Sequence, residues 1–411
     1  MDVKTRPIRR SLGALACVLA AALVGCSSKS SGGESDKDGP IKFGILTEKT
    51  GAQASLSPDK EFGVKAGVAV ATNGTNEVAG RKIEFVVGDD RSDVAQAPTV
   101  ARRIVQKHDP AIMFGFSVSD AAVATAPIMA DAKIPDIYTV SSTTELSNFS
   151  DTTFRTARDS QQEAKMFSAV AGIKQGETFQ ILAPDLAYGK ATGEATQKVL
   201  EEEGGKAAGD IIYAPLVADD YTAAVERVRQ RRADKLMVVT FTSAAGARLW
   251  QTIGRAGVAD NTEIYTLLQQ RPVREGMGPI AQKVNFFALY DPELVDSDLD
   301  TRFVEEFKKL SGGDAPDIYA GDAGTAGIIA VEALKQTEGD TSHEKISDAL
   351  EGLEGEGIRG EFQLRAEDHV FMQPFFEARL DDSFRAERVR RFPPDAIEVP
   401  VYPPKERRTK D

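Results

Sequence analysis

The sequence has few of the residues that carry covalent or metal chemistry. Its 411 residues include two cysteines, three histidines and one tryptophan. Two cysteines exclude a disulfide scaffold and the cysteine-rich zinc or iron–sulfur sites. The 63 acidic side chains outnumber the 50 basic ones, and the formal net charge is −13. Nucleic-acid binding needs clustered lysine and arginine, so we expect no nucleic-acid partner.

Motifs for nucleotides and for nucleophilic catalysis are also missing. The sequence has no Gly-x-x-x-x-Gly-Lys-Ser/Thr loop and no Gly-x-Gly-x-x-Gly after its first predicted strand. The run Gly115–Ser119 ends in serine, where a nucleophile elbow needs glycine. Asp89, Asp90 and Asp93 do not have the spacing of a calcium loop. We therefore expect a protein that is not an enzyme and that uses no metal or cofactor, with a secreted lipoprotein enzyme as the weakest alternative.

The first 40 residues predict secretion and anchoring. Residues 1–25 combine a basic start with an apolar run of signal-peptide length, too short to span a bilayer comfortably. The run ends Leu-Val-Gly-Cys26, which resembles the bacterial lipobox, so we expect Cys26 to be the lipid-bearing mature N-terminus. The alternative is an ordinary signal peptide with an incidental cysteine. Residues 26–40 continue as a polar, flexible tether, which predicts an extracytoplasmic protein anchored to the cell membrane.

From Ile41 onwards, short β-branched runs alternate with longer helical periods. This alternation is typical of β-α-β units and a parallel sheet. The rhythm restarts at a helix beginning near Ser160. The sequence therefore predicts an α/β fold with two doubly wound parallel-sheet lobes. Ligands bind at the carboxyl ends of such strands, so a ligand cleft is expected between the lobes.

Several stretches resemble the type I periplasmic solute-binding family, in its branched-chain amino acid-binding (Leu/Ile/Val-binding) branch. This branch serves bacterial ABC importers. In chain order the matching stretches are Gly-Arg-Lys-Ile-Glu at 80–84, Val-Gly-Asp-Asp at 87–90, Ile-Pro at 134–135, Phe-Arg-Thr at 154–156 and Pro-Asp-Leu-Ala-Tyr-Gly-Lys at 184–190. The resemblance covers about residues 41–380.

The resemblance implies discontinuous lobes joined by a three-strand hinge. It places lobe one at 41–157 plus 290–357, lobe two at 158–289 plus 358–389, and a C-terminal tail at 390–411, for which no fold is predicted. It also implies a monomer that captures a small organic solute and delivers it to an ABC permease with its ATPase subunits. The alternative is a ligand-sensing receptor of the same fold that signals to a membrane partner.

Hydroxyl side chains are the first candidates for ligand contact. Ser117 and Ser119 follow a predicted strand and precede a helix, where hydroxyls and free backbone N–H groups form a cradle for a carboxylate. The alternative role of Ser119 is to cap that helix. Ser141, Ser142 and Thr143 follow the next strand, and the resemblance places Ser142 at a ligand-binding threonine. The alternative there is a hydroxyl-rich turn.

Lobe two supplies the remaining candidates. The resemblance implies that Tyr188 closes over the ligand, while the alternative is a tyrosine that packs against its own loop. Phe241 and Thr242 end one predicted strand, and Gln269 and Gln270 end the next.

Amino acid-binding members of the family place an acidic residue near this last strand end, to pair with the ligand's ammonium group. Here Leu267–Arg271 contains no carboxylate. We therefore expect a carboxylic acid, an aromatic acid or an amide rather than an α-amino acid. Glu48 in the first loop remains the alternative partner for an ammonium group.

Overall fold

The computed structural model describes residues 39–116, 119–241 and 245–405. Three predicted functional residues, Cys26, Ser117 and Thr242, lie outside these ranges. Within them, no helix is both long enough and apolar enough to cross a bilayer.

Lobe one is built on a six-stranded sheet. Its strands are β1 (Ile41–Thr47), β2 (Glu77–Val78), β3 (Arg81–Asp89), β4 (Ile112–Gly115), β5 (Asp136–Tyr138) and β6 (Thr153–Arg155). Their order in space is β2-β3-β1-β4-β5-β6, and only the pairing of β2 with β3 is antiparallel. The central strand β1 is buried along almost its whole length, as expected for a parallel strand covered on both faces.

Three helices cover this sheet before the chain leaves the lobe. They are α1 (Ser57–Ala71), α2 (Ala97–His108) and α3 (Ser119–Ala132). Pro58 lies in the first turn of α1, where its missing N–H costs no hydrogen bond. Helix α2 ends at His108, and the left-handed backbone of the following Asp109 (φ +44°) caps it.

Lobe two repeats this construction. It contains α4 (Ser160–Ala171), β7 (Thr178–Pro184), α5 (Ala187–Glu202), β8 (Lys206–Ala207), β9 (Ile212–Ala214), α6 (Thr222–Arg231), β10 (Lys235–Val238), α7 (Gly246–Arg255), β11 (Glu263–Leu267), α8 (Arg271–Gly276) and β12 (Val284–Ala288). Strands β12, β11, β10 and β7 are parallel neighbours, and both β8 and β9 pair with β7. The fold class predicted from the sequence is confirmed.

The chain then returns to lobe one. This part contains α9 (Asp298–Ser311), α10 (Ala320–Gln336), α11 (His343–Leu350) and the small antiparallel sheet of β13 (Glu354–Gly357), β14 (Gly360–Leu364) and β15 (Phe371–Met372). The predicted boundary at 358 needs correction. Phe362, Leu364 and Phe371 share an apolar cluster with β1 and α10, because their rings and branches complete the core of lobe one.

Helices α1 and α10 approach each other closely at glycines. A Cβ on Gly67 would lie 2.0 Å from the carbonyl oxygen of Gly324, and one on Gly63 would lie 2.7 Å from the Cβ of Ala323. Only residues without a side chain allow the two backbones to come this near. The contact fixes α10 against the helix that follows the first strand.

The last described part of the chain, up to Lys405, completes the lobe-two sheet and continues past it. Strand β16 (Phe375–Leu380) joins β12 antiparallel, and β17 (Ala386–Phe392) forms the edge of the lobe-two sheet. A 3-10 turn at Pro394–Ile397 follows. The tail at 390–411, for which no fold was predicted, therefore contains the end of β17 and a 3-10 turn, in which Phe392 and Ile397 are buried.

Candidate functional site

Both lobes place the carboxyl ends of their strands in the same topological arrangement. The strand orders are β3-β1-β4-β5-β6 and β9-β7-β10-β11-β12. In each sheet the chain adds strands first on one side and then on the other, and the change of side lies between β1 and β4 in lobe one and between β7 and β10 in lobe two. Ligands of open parallel sheets bind at such points. We call the loops that follow β1, β4, β5, β7, β10 and β11 the interlobe site.

Two serines meet at the lobe-one side of the interlobe site. The hydroxyl of Ser141 donates a 3.3 Å hydrogen bond to the hydroxyl of Ser119, and both residues are buried. Ser119 is the first residue of α3, whose N-terminus favours negative charge. The chain leaves β4 at Gly115 (φ +115°), where only glycine fits, because a Cβ would lie 1.9 Å from the carbonyl oxygen of Leu46.

The two residues after Ser141 have structural roles as well. The carbonyl of Ser142 accepts a 2.9 Å hydrogen bond from the hydroxyl of Ser160, which ties the loop to α4. The hydroxyl of Thr143 accepts from the backbone N–H of Glu145 at 3.2 Å and caps a short 3-10 turn. Capping accounts for the hydroxyl of Thr143, and ligand contact by Ser142 or Thr143 stays a prediction.

Tyr188 belongs to a polar cluster that the sequence did not reveal. Its hydroxyl donates a 2.8 Å hydrogen bond to Oε1 of Glu163. The other carboxylate oxygen of Glu163 lies 2.6 Å from Nη2 of Arg158. Arg158 also donates to the carbonyl of Val140 at 3.2 Å, and its guanidinium lies 5.9 Å from the ring centre of Tyr319. The cluster therefore joins the loop before Ser141 to the first helix of lobe two.

The electrostatics of this cluster keep it charged but internally neutral. Burial lowers the pKa of Arg158, but the surrounding acidic groups, with Glu163 the foremost, together raise it above its ordinary value, so the guanidinium stays protonated. Burial and the same carboxylate raise the pKa of Tyr188 well above its ordinary value, so its hydroxyl keeps its proton. The sequence signal was only the capping box at Asp159, which indicates where α4 begins but not that Arg158 turns back towards Glu163.

The two predicted glutamines behave differently. The amide of Gln269 donates to the carbonyl of Leu267 at 2.6 Å, within its own lobe. Gln270 instead reaches lobe one, where its amide nitrogen donates to the carbonyl of Ser55 at 3.2 Å and its amide oxygen accepts from the Ser55 hydroxyl at 3.3 Å. Gln270 thus connects the two lobes directly, and ligand contact by either glutamine stays a prediction.

Phe241 lies in the core of lobe two rather than at a surface. It is 1% exposed, and its ring stands edge-on to that of Tyr221 with 5.9 Å between centres. This packing accounts for an aromatic residue at the end of β10. A ligand contact by Phe241 stays a prediction.

Glu48 already has a cation for its carboxylate. It is fully buried and forms an ion pair with the equally buried Lys60. The alternative that Glu48 receives an ammonium group from the ligand is therefore disfavoured, because Lys60 occupies that role. In the described parts of the chain, no group of three or more His, Cys, Asp or Glu side chains could hold a metal ion.

Comparison with known proteins agrees with this architecture. The sequence profile of the family described as "Periplasmic binding protein" matches residues 40–385. The chain belongs to this family. A curated relative, Leu/Ile/Val-binding protein homolog 6 from Brucella suis biovar 1 (strain 1330), is 22% identical over 360 residues, which cover 83% of this chain and 88% of that protein.

Solved structures of periplasmic binding proteins share the fold. The ABC transporter substrate-binding protein from Sphaerobacter thermophilus superposes with a TM-score of 0.78 at 22% identity, covering 86% of this chain and 98% of that one. The solute-binding protein of an ABC transporter from Rhodopseudomonas palustris HaA2, in complex with p-hydroxybenzoic acid, gives a TM-score of 0.78 at 22% identity and covers 86% and 97%.

Proposed function

We propose that this periplasmic binding protein captures a small carboxylic acid, with an aromatic acid favoured, and delivers it to an ABC importer. The carboxylate would lie at Ser119 and Ser141, at the N-terminus of α3. Hydroxyl and backbone N–H donors at such a position suit an anion without needing a buried counter-charge. The ligand would shift the population of lobe arrangements towards the closed one.

The observation that carries this proposal is that Glu163 is already paired. An α-amino acid needs an acceptor for its ammonium group as well as donors for its carboxylate. Glu163 holds Arg158 and Tyr188, and Glu48 holds Lys60. Recruiting either carboxylate for a ligand would leave a buried cation without its partner, which costs several kcal/mol. A simple acid makes no such demand. The benzoate-type ligand of the Rhodopseudomonas neighbour supports the same class.

The experiment is a thermal-shift and calorimetric titration with five probes: benzoate, 4-hydroxybenzoate, benzamide, phenylalanine and leucine. Benzamide is the matched control, because it keeps the ring and lacks the negative charge. A ligand that binds only the folded state raises the unfolding midpoint. We expect a rise with the two acids and none with benzamide. Binding of leucine without binding of benzoate would overturn the proposed ligand class.

We also propose that Cys26 carries a lipid that holds the protein at the outer face of the cell membrane. A Cys26→Ser variant should appear in the soluble extracytoplasmic fraction, whereas the unchanged protein should sediment with membranes. Delivery to a permease is tested separately, by uptake of labelled 4-hydroxybenzoate in cells with and without the gene. Unchanged uptake would contradict the transport role and favour the sensing alternative.

A further inference from the structure

The chain crosses back to lobe one after its last strand. We call residues 393–405 the C-terminal strap. The family match ends at residue 385, so the strap lies beyond the part shared with the family profile. It begins on lobe two, where Phe392 of β17 stacks on Phe375 with 4.4 Å between ring centres. Ile397, in the turn that follows, is buried.

The far end of the strap is held on lobe one by backbone hydrogen bonds. The carbonyl of Val399 accepts from Nη1 of Arg365 at 2.8 Å, and the N–H of Tyr402 donates to Oδ2 of Asp368 at 2.8 Å. Arg365 and Asp368 form their own bidentate pair, with distances of 2.7 and 2.6 Å. The strap is thus bound to two charged side chains that also hold each other, and these charge-assisted hydrogen bonds favour a fixed position of the strap.

Asn148 provides a second attachment. Its side-chain amide donates to the carbonyl of Tyr402 at 2.6 Å, and its own carbonyl accepts from the N–H of Lys405 at 3.0 Å. Asn148 adopts a left-handed backbone (φ +54°), a conformation that asparagine tolerates. It directly follows Ser147 in the loop that begins at Ser141. The strap therefore holds the C-terminal end of the Ser141–Ser147 loop of the interlobe site.

A chain of buried contacts connects the hinge to the same loop. Asp159 accepts from the hydroxyl of Ser147 at 3.1 Å, and Ser147 accepts from Nη1 of Arg155 at 2.8 Å. The other Nη of Arg155 donates to the carbonyl of Ser141 at 2.7 Å. Burial and the nearby Asp159 raise the pKa of the Tyr402 hydroxyl, so this residue of the strap lies close to the same contacts. The strap therefore reaches the buried contacts that hold the Ser141–Ser147 loop.

We infer that the C-terminal strap positions the Ser141–Ser147 loop for solute binding and that solute affinity depends on it, although no strap residue lies in the interlobe site. The affinity part of this inference rests on the proposed function. A loop that spends only part of its time in the competent arrangement binds with an affinity reduced by that fraction. Without the strap, Asn148 loses its hydrogen bonds to Tyr402 and Lys405, and Asp368 keeps Arg365 but loses the N–H of Tyr402. The loop then gains alternative arrangements.

The test compares three variants of the protein: a truncation after Glu398, and the single substitutions Asn148→Asp and Val401→Ala in the full-length chain. Asn148→Asp keeps the size and the tolerated backbone conformation but replaces the amide donor with an acceptor facing the Tyr402 carbonyl. Val401→Ala is the matched control on the strap, because this side chain is 53% exposed. Hydrogen–deuterium exchange is measured without ligand, and the dissociation constant is measured with 4-hydroxybenzoate.

We expect faster exchange over residues 139–148 in the first two variants and unchanged exchange in β10 and β11. We expect 4-hydroxybenzoate to bind about three- to tenfold more weakly, as lost hydrogen bonds at this loop imply. Val401→Ala should match the unchanged protein in both measurements. Unchanged exchange over 139–148, or acceleration spread equally over lobe two, would overturn the inference. If the unchanged protein does not bind 4-hydroxybenzoate, the proposed ligand is wrong, and the exchange data still decide whether the strap positions the loop.

Discussion

The phenolic hydroxyl of Tyr188 and the carboxylate of Glu163 are joined by a 2.8 Å hydrogen bond. Tyr188 lies next to a strand end where a solute is expected, yet its hydroxyl already has a partner within the protein. A ligand can therefore either pack against the tyrosine ring or compete with the buried Glu163 carboxylate for the tyrosine hydroxyl. Packing against the ring costs less free energy, since aromatic faces pack well against apolar or aromatic ligands.

Removing Arg158 tests how far the polar cluster depends on charge balance. Arg158→Met should lower the free energy of unfolding by about 3–5 kcal/mol, because Glu163 is left as a buried, uncompensated charge. Denaturant unfolding gives the value. The double variant Arg158→Met, Glu163→Gln should recover most of the loss. Arg229→Met breaks an exposed ion pair with Glu226 and should cost less than about 1 kcal/mol. Equal losses at both arginines would contradict this account.

Ser142→Ala should separate ligand contact from folding. The structural bond at this residue uses its backbone carbonyl, which the substitution preserves. We expect the unfolding midpoint without ligand to change little and the rise caused by 4-hydroxybenzoate to disappear. Thr143→Ala provides the comparison, since it removes a capping hydroxyl and should lower stability by about 1 kcal/mol. A ligand-induced rise that survives in Ser142→Ala would assign this serine to the turn alone.

Gln270→Ala should open the lobes in the absence of ligand. The substitution removes both hydrogen bonds to Ser55, which link lobe two to lobe one. Small-angle X-ray scattering should therefore show a larger radius of gyration. Gln269→Ala removes an amide of the same kind whose bonds stay within lobe two, so its radius should match that of the unchanged protein. Identical scattering from all three proteins would show that the Ser55 contact does not hold the lobes together.

Stability should fall as the pH rises towards neutrality. Burial raises the pKa of Asp136 from 3.8 to about 8, so the folded state keeps a proton that the unfolded state releases. This contribution is fully present below pH 4 and is lost between about pH 4 and pH 8, at up to about 1.4 kcal/mol per pH unit.

Asp136→Asn should flatten that slope in denaturant unfolding measured from pH 5 to pH 8. The control is Asp340→Asn. Hydrogen bonding to Lys345 and Ser342 lowers the pKa of Asp340, so its contribution is lost only in more acidic solution. The slope should be unchanged in that variant. A slope that is steep in Asp136→Asn as well would assign it to other buried carboxyl groups.

The sequence predicted the fold well because hydrophobic period and helix signals are local. The alternation expected from Ile41 onwards begins with β1 at Ile41, and the helix expected near Ser160 is α4, which begins at Ser160. Local signals fail where the partner is distant. Nothing near β14 indicates that Phe362 packs with β1, and the polar, proline-containing tail gave no sign of its attachment to Asn148.

The predicted site residues stay a prediction as ligand contacts, and the structure shows which of them it brings together. Ser119 and Ser141 come together because the carboxyl ends of β4 and β5 adjoin, which parallel topology implies. The pairing of Glu163 with Arg158 and Tyr188 could not be predicted, because rotamer choice decides whether a charged side chain turns inward or outward. The predicted role of Gln270 rested on its strand end, whereas the structure gives it a partner on the opposite lobe.

The glycine contact between α1 and α10 holds together two segments that are far apart in the sequence. Asp59, in the first turn of α1, accepts the backbone N–H groups of Asp317 and Tyr319, just before α10 begins. Because the two helices touch at Gly67 and Gly324, neither can slide along the other without steric overlap. A single methyl group added at Gly67 would overlap the backbone of Gly324 and push these helices apart. The position of the segment that enters α10 is thus set by α1 twice, through the Asp59 carboxylate and through the contact between Gly67 and Gly324.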